Sequence, residues 1–351
     1  GPQCLLYGLF KHSDTMGDDT ISNRSGHSAL NRRNFIKAAG VGGVALSAGC
    51  LGSLSGEQEW PSRPVEVISP WSAGGGADRT SRAVADAAEN HTEVSWNVSN
   101  QTGGSGSVGM NAAANAEPDG HTIGCTAPEI ALFEHLGIAD LSPDDITPIM
   151  QYTEFPAALV VSEDAEFSTL DEWITYGQDN TLQMANSGFG SSWHMAAAGI
   201  ASEAGVNVEH ISYEGAAPAM TAVVNGEVDC TAVGAAEVAP QVQDGGLSAL
   251  GVAFDRQVEA LPNTPTLADQ GLDISIGSWL AHFAPAGIDD ELKQQLADVY
   301  SAVYEDDSFV EFMENNNFIR VERGPDELAD FLDQQYEFYG NLVDELGIEE
   351  Q

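Results

Sequence analysis

The sequence predicts an α/β protein built from βαβ units around parallel strands, and three observations carry this. Strand-like and helix-like segments alternate from residue 65 to residue 254, the order expected of strands joined by crossover helices. The strand-like runs are short and β-branched or continuously apolar, whereas the helix-like segments are alanine-rich with apolar positions three and four apart. Two strand-to-helix junctions are glycine-rich, Pro70-Trp-Ser-Ala-Gly-Gly-Gly-Ala-Asp78 and Asn186-Ser-Gly-Phe-Gly-Ser-Ser-Trp-His194. At 351 residues the chain is long enough for two ordinary domains, and no internal repeat is visible.

In order, residues 65–69 form a strand that stops in the first glycine loop and opens helix 78–89. Strand 94–98, helix 107–116, strand 122–126 and helix 131–136 follow, and 157–162 is a strand. Next come helix 170–176, strand 181–185, helix 192–204, strand 208–212, helix 217–225, strand 228–233, helix 238–243 and strand 249–254. Residues 278–284 form a further strand, and 290–306, 308–315 and 325–346 are helices. The first of these is entered through Gly287-Ile-Asp-Asp290, which supplies an acidic N-cap.

Charge is the extreme property of the composition: 54 acidic residues face 12 basic ones, for a net charge of −42. Such a surface argues against DNA, RNA or anionic lipid as partners. The acids are spread along the chain, and Lys293 is the sole lysine after Lys37, a pattern resembling proteins of extreme halophiles such as haloarchaea. At molar salt the Debye length shrinks to ~3 Å, so this charge does not repel an anionic ligand at a distance.

Residues 1–49 read as a leader. Asn31-Arg32-Arg33-Asn34-Phe35-Ile36-Lys37 is a twin-arginine export motif, and the apolar stretch after it is too short to span a bilayer. Leu46-Ser-Ala-Gly-Cys50 looks like a lipoprotein cleavage site, with Cys50 lipidated and residues 50–62 as a tether. Cleavage by an ordinary signal peptidase near Ala48 is the alternative, and residues 1–15, before Met16, fit neither signal nor domain. Cys125 and Cys230 lie in apolar strand-like runs and read as small buried hydrophobes.

The two glycine loops carry the chemistry. A strand that ends in glycines and opens a helix leaves backbone N–H groups free at the positive end of the helix dipole, an anion site. Neither loop has the Gly-Lys-Ser/Thr ending of a nucleotide P-loop. Gly104-x-Gly106-x-x-Gly109 matches the dinucleotide fingerprint but lacks the acid at the end of the next strand, and reads as a tight turn at a helix start. Ser187, Ser191, Ser192 and His194 invite a hydrolase reading, yet no Gly-x-Ser-x-Gly elbow is present. Ser187 and Ser191 cap the helix or meet ligand oxygens, and His194 is a pocket residue or a packed histidine. Asp78 N-caps its helix, faces the ligand, or does both with one oxygen each, and Trp71 and Phe189 are apolar walls for the ligand or lie against their own lobes. No metal spacing is present, and no cofactor is expected.

These residues resemble the extracytoplasmic solute receptors of the tripartite tricarboxylate transporters, the TctC or Bug family. Pro70, Trp71, Ala73, Gly74, Gly75 and Asp78 match the first family loop, and Ser187, Gly188, Gly190, Ser191 and His194 the second. Asn100 with Gly103-Gly-Ser-Gly106, Pro118-Asp-Gly120, Tyr213-x-Gly215-x-x-Pro218, Leu261-Pro262-x-x-Pro265-Thr266 and Ala284-Pro-Ala-Gly287 follow in the family's order. The resemblance implies a two-lobe, periplasmic-binding-protein-like (type II) fold, each lobe a mostly parallel sheet flanked by helices, with two crossing strands as hinge. Lobe 1 would comprise 63–160 and 279–351, and lobe 2 161–278. It implies a receptor, not an enzyme, that captures a small organic carboxylate and delivers it to membrane permease subunits, as a monomer tethered outside the cell. The alternatives are an input protein for a sensor kinase and, more distantly, an exported hydrolase. The implied ligand-binding residues are Trp71, Ala73, Gly74, Gly75, Asp78, Thr126, Ser187, Gly190, Ser191, His194 and Tyr213. Two departures, Gln101 for the family's arginine and Glu214 for its lysine, remove positive charge, which disfavours a tri-anionic solute if either side chain faces the ligand.

Overall fold

The structure, a computed structural model, describes residues 60–348. Arg32, Arg33, Cys50 and most of the tether lie outside the described residues. The first sheet region is built from β1 (Val65–Ser69), β2 (Trp96–Asn100) and β3 (Thr122–Thr126), connected through α1 (Gly76–Ala88) and α2 (Ser107–Ala114). β1 pairs in parallel with both neighbours. The second region repeats this plan with β5 (Leu182–Asn186), β6 (Val208–Ser212) and β7 (Cys230–Gly234), again parallel, connected through α4 (Ser192–Ala204) and α5 (Ala216–Val224). β4 (Ile146–Ser162) is followed by α3 (Leu170–Asp179), and β7 by α6 (Ala235–Gln243) and β8 (Leu247–Ala253). The chain closes with β9 (Gly277–Pro285), α7 (Asp290–Tyr304), α8 (Asp307–Asn315), β10 (Ile319–Arg323) and α9 (Pro325–Leu346).

One strand joins the two regions. Residues 146–156 of β4 pair antiparallel with β9 and β10, and residues 157–162 pair antiparallel with β7 and β8. The change of partner falls at Pro156, which has no N–H to give to either ladder. The return crossing is made just before β9, where Ile276 N–H donates to Ala253 O and Ile276 O accepts from Ala157 N–H. The sheet order is β2-β1-β3-β9-β4-β7-β5-β6, with β8 and β10 also on β4. It is therefore mixed rather than mostly parallel, because both chain crossings run antiparallel to the βαβ strands they meet.

α1 is tied to this frame by a buried polar cluster. Ser81 Oγ lies 3.1 Å from His282 Nε2, and His282 Nδ1 lies 2.8 Å from the Tyr300 hydroxyl. Burial pushes His282 down to about 3, so the ring is neutral and serves as a hydrogen-bonding spacer between α1, β9 and α7. Cys125 and Cys230 are free and buried, with burial pushing both thiols up to about 12. They pack as the small hydrophobes their apolar strands predict.

Beyond shifts of two or three residues at element ends, three elements differ from expectation. β4 begins at Ile146, not Ala157, with register shifts beside Pro148 and Gln151. Where a helix over 131–136 is expected, a short 3-10 segment, Pro128–Ala131, is followed by turns from residue 132. β10 is a five-residue strand in a stretch read as a connection between helices.

Candidate functional site

β1 ends at Ser69, and the first loop turns through Gly74 at φ +87°, a conformation suited to glycine. α1 then starts at Gly76 with Gly75 as its N-cap, and no side chain caps it. The amides of Gly76, Ala77 and Asp78 have no hydrogen-bond partner among the described residues, leaving three donors at the positive end of a 13-residue helix. Ala73, Gly74 and Gly75 are exposed.

Asp78 is neither the N-cap nor open to a ligand. It occupies the third helical position, is 3% exposed, and turns back on the loop. Its Oδ2 accepts from Gly74 N–H at 2.8 Å, and its Oδ1 accepts from Arg82 Nη2 at 2.8 Å and Asn100 Nδ2 at 2.9 Å. Burial works to raise its pKa, but the bonds from Arg82, Gly74 and Asn100 outweigh it and hold the carboxyl below its usual value. Asn100 Nδ2 also donates to Trp71 O at 2.9 Å, so Asn100 and Asp78 together fix the loop from Trp71 to Gly74. Trp71 is half-buried against Gly106. Arg79 turns to Asn316 Oδ1, with its guanidinium 5.4 Å from the Phe318 ring centre.

The second loop caps its own helix. Ser191 N-caps α4, its Oγ accepting from His194 N–H at 3.1 Å while donating to Gly188 O at 2.7 Å, and Ser187 Oγ donates to it at 2.9 Å. Gly190 N–H donates to His194 Nδ1 at 3.1 Å, which places any ring proton of the neutral form on Nε2. His194 is 5% exposed and packs between Phe189 and His210. Burial, then His210, lowers it to about 4. It is the packed, neutral histidine of the two alternatives. Ser192 N–H, at the first position of α4, donates to Glu129 Oε1 at 2.8 Å. Glu129 comes from the segment after β3 and is 3% exposed, and its Oε2 has no partner. Burial raises its pKa, against the bond from Ser192.

The two loops meet. Ser105, held at φ +53°, donates from Oγ to Phe189 O at 3.0 Å. Tyr213 is half-buried at the end of β6, its N–H on Asn186 O, and the backbone of Gly188 passes beside it. α5 beyond it is also uncapped, with Gly215 as N-cap and Pro218 in its first turn. Thr126 departs from its expected place: it is fully buried, and its hydroxyl points to Met110 Sδ at 3.6 Å, so it lines no open surface. At the ends of β1 and β5, the strands that feed the loops, Ser69 Oγ and Asn186 Nδ2 are buried without partners. Unsatisfied buried groups of this kind are completed by a ligand or by ordered water. In the glycine fingerprint, a side chain at Gly109 would lie 2.5 Å from Gln101 O, so this glycine serves close packing of α2 on the first loop.

Residues 80–348 match the profile of the family described as "Tripartite tricarboxylate transporter family receptor". The chain belongs to this family. The receptor is 28% identical over 302 residues to a UPF0065 protein of Bordetella pertussis, covering 83% of this chain and 92% of that one. Its fold is similar to that of the periplasmic binding protein BugD, with a TM-score of 0.76 at 26% identity, covering 83% of this chain and all of that one. It also resembles in fold MatC of Rhodopseudomonas palustris, whose structure holds bound malate, with a TM-score of 0.73 at 24% identity, over 81% of this chain and all of that one. The receptor therefore has the periplasmic-binding-protein-like α/β fold that the loops imply.

Two surface concavities of the receptor lie elsewhere, beside α3. One is lined by Glu166, Asp171, Glu172 and Asp179, a wall of carboxylates unsuited to an anion. Sequence reading missed Glu129, Glu237 and Ser105. Glu237, on α6, accepts from Gly234 N–H at 3.3 Å through Oε2. Its Oε1 lies 3.9 Å from where a Cβ on Gly76 would stand. The available signal was a single acid inside an apolar run, as in Pro128-Glu-Ile-Ala and Ala235-Ala-Glu-Val.

Proposed function

We propose that this receptor captures a small organic carboxylate between two lobes and hands it to the permease subunits of a tripartite transporter. Lobe 1 comprises 63–160 and 279–351, lobe 2 161–278, and the hinge lies at the crossings around Pro156 and Ile276. The observation that carries the reading is the uncapped start of α1, where three amides stand without partners while Asp78 holds the loop open beneath them. A carboxylate placed there meets N–H donors and the helix dipole. Water-bridged contacts fit such a site without weakening it.

In this reading Ala73, Gly74 and Gly75 shape the donor loop, and Asp78 positions it. Ser187, Gly190, Ser191 and His194 hold the second loop in form, and Trp71 and Tyr213 frame the solute. The twin-arginine motif exports the chain and Cys50 anchors it by lipid at the outer face of the membrane, where its acidic shell suits a halophile's medium. A thermal-shift screen of acetate, succinate, malate, glutarate and adipate in molar salt tests the function. A solute at 100 times its Kd adds about 2.7 kcal/mol to the folded state, an easily measured rise in Tm. The mechanism is tested by Arg79→Gln. Binding that survives this change supports backbone donors, and binding that vanishes shows the anion is held by a side-chain ion pair. If none of the acids shifts Tm, the carboxylate reading fails.

A further inference from the structure

Two glutamates cross between the regions of the sheet, each toward the start of a helix on the other side. Glu129, beside β3, accepts from the first amide of α4. Glu237, on α6, brings Oε1 to 3.9 Å from where a Cβ on Gly76, the first residue of α1, would stand, while Oε2 stays on Gly234 N–H. The two differ in what they leave open. α4 is also capped by Ser191, so Glu129 and Ser191 between them take up the Ser192 and His194 amides. α1 has no cap, and Glu237 stands beside donors that remain free.

We infer that Glu237 couples solute capture to protonation: an anion seated on the α1 amides lies against this carboxyl, which takes up a proton as the anion binds. The inference rests on the carboxylate reading above and deepens it. Two carboxylates sharing one site cannot both stay ionised at low cost, so one of them takes a proton. The solute, bound by three amides and the helix dipole, has its charged form stabilised, and the proton falls to Glu237. The surroundings of Glu237 point the same way. Burial already pushes it up to about 7, against the bond from Gly234 and the charge of Arg79. Arg79 of α1 is the cation facing it, and it is exposed and turned toward Asn316. Of the other neighbours, β4 presents the Phe155 ring, and Glu154 next to it is paired with Arg256. Asp78 is committed to its loop and to Arg82.

The linkage has a definite sign. A bound anion raises the Glu237 value further, so affinity is highest below pH 7 and falls as pH rises through 7 toward the value in the complex. Each unit by which the solute raises that value costs about tenfold in affinity across the window. The test is calorimetry of malate and adipate binding to the wild type, Glu237→Gln and Arg79→Gln, from pH 6 to pH 9, in buffers of different ionisation enthalpy. Wild type should take up close to one proton per solute at pH values between those of the free and bound carboxyl. Glu237→Gln keeps an acceptor for Gly234 N–H and should show no uptake and a flat affinity. Arg79→Gln should move the window to higher pH. Binding without proton uptake, or uptake that persists in Glu237→Gln, overturns the inference and leaves the carboxylate reading standing. Failure of every acid of the screen to bind either wild type or Glu237→Gln overturns both. Circular dichroism of each variant guards against misfolding. If Glu237→Gln is unfolded, Arg79→Gln decides, and an unmoved window refutes the coupling.

Discussion

Replacing Asp78 by alanine removes the brace of the first loop, and the structure sets the size of the effect. Three donors lose their acceptor: Gly74 N–H, Asn100 Nδ2 and Arg82 Nη2. A hydrogen bond to a charged group contributes roughly 1.5–3 kcal/mol when its partner is left stranded. Two of the three donors are not stranded, since Gly74 is exposed and the Arg82 side chain is 46% exposed, so water replaces the carboxylate at both. What remains is chiefly the Asn100 bond and the fixed path from Trp71 to Gly74, about 2 kcal/mol. At about 2–4 °C per kcal/mol for a chain of this size, Tm should fall by about 4–8 °C at pH 7 in molar salt. Asp78→Asn separates charge from shape. The folded value of Asp78 lies below 3.8, so its ionic contribution is complete above pH 3.8 and is lost as pH falls through the folded value. The gap between wild type and Asp78→Asn should therefore be open at pH 7 and narrow toward pH 3. Solute binding should weaken in both variants through a loosened loop. An unchanged Tm with binding abolished would mean that Asp78 touches the solute itself, and the brace reading would be wrong.

The parts of this fold that were legible are those whose signal is local. A β-branched run ending in glycine gives β1, and a Thr-Ile-Gly-Cys-Thr run gives β3, at the residues expected for each. α4 covers the residues expected of it, and Ser191 and Gly205 cap it at either end. α1 starts two residues earlier than expected, because an aspartate in a first turn looks like an N-cap but here reaches back from the third position to Gly74. The first part of β4 was hidden by Pro148 and Pro156, which argue against a central strand. The structure accommodates them with register shifts and with the exchange of partners at Pro156. β10 exists because β4 offers it an edge, a fact of tertiary contact that five residues do not announce. The site divides in the same way. Both loops are contiguous in sequence and were found, whereas Glu129 meets Ser192 across 63 residues of chain and Glu237 meets Gly76 across the sheet. A lone acid in an apolar run says that it needs a partner, not which one.

Ser191→Ala removes the N-cap of α4 and should cost about 1 kcal/mol of stability, read by urea unfolding, with solute affinity changed little. A large loss of affinity at unchanged stability would place the Ser191 hydroxyl on the solute. Mass spectrometry of protein from its native host should show Cys50 as a lipidated first residue, and changing Arg32 and Arg33 to lysine should trap the precursor inside. An unmodified start elsewhere, or continued export, refutes that reading. Dialysis from molar to about 10 mM salt, where the Debye length reaches ~30 Å, should unfold a chain of net charge −42, as seen by circular dichroism. Full ellipticity at low salt would show that the core outweighs the repulsion. The last prediction concerns His194, lowered to about 4 by burial and by His210. The unfolded chain binds its proton from pH 6.5 downward and the folded chain does not, so His194 costs stability as pH falls from 6.5 to 4, at about 1.4 kcal/mol per unit. Glu129 and Glu237 are raised and act in the opposite direction, so the wild-type curve alone does not isolate the histidine. The difference between wild type and His194→Gln does, because the glutamine can accept from Gly190 N–H without a charge to gain. That variant should gain on the wild type steadily below pH 6.5, and a difference that stays flat to pH 4 would mean that His194 carries a proton inside the fold.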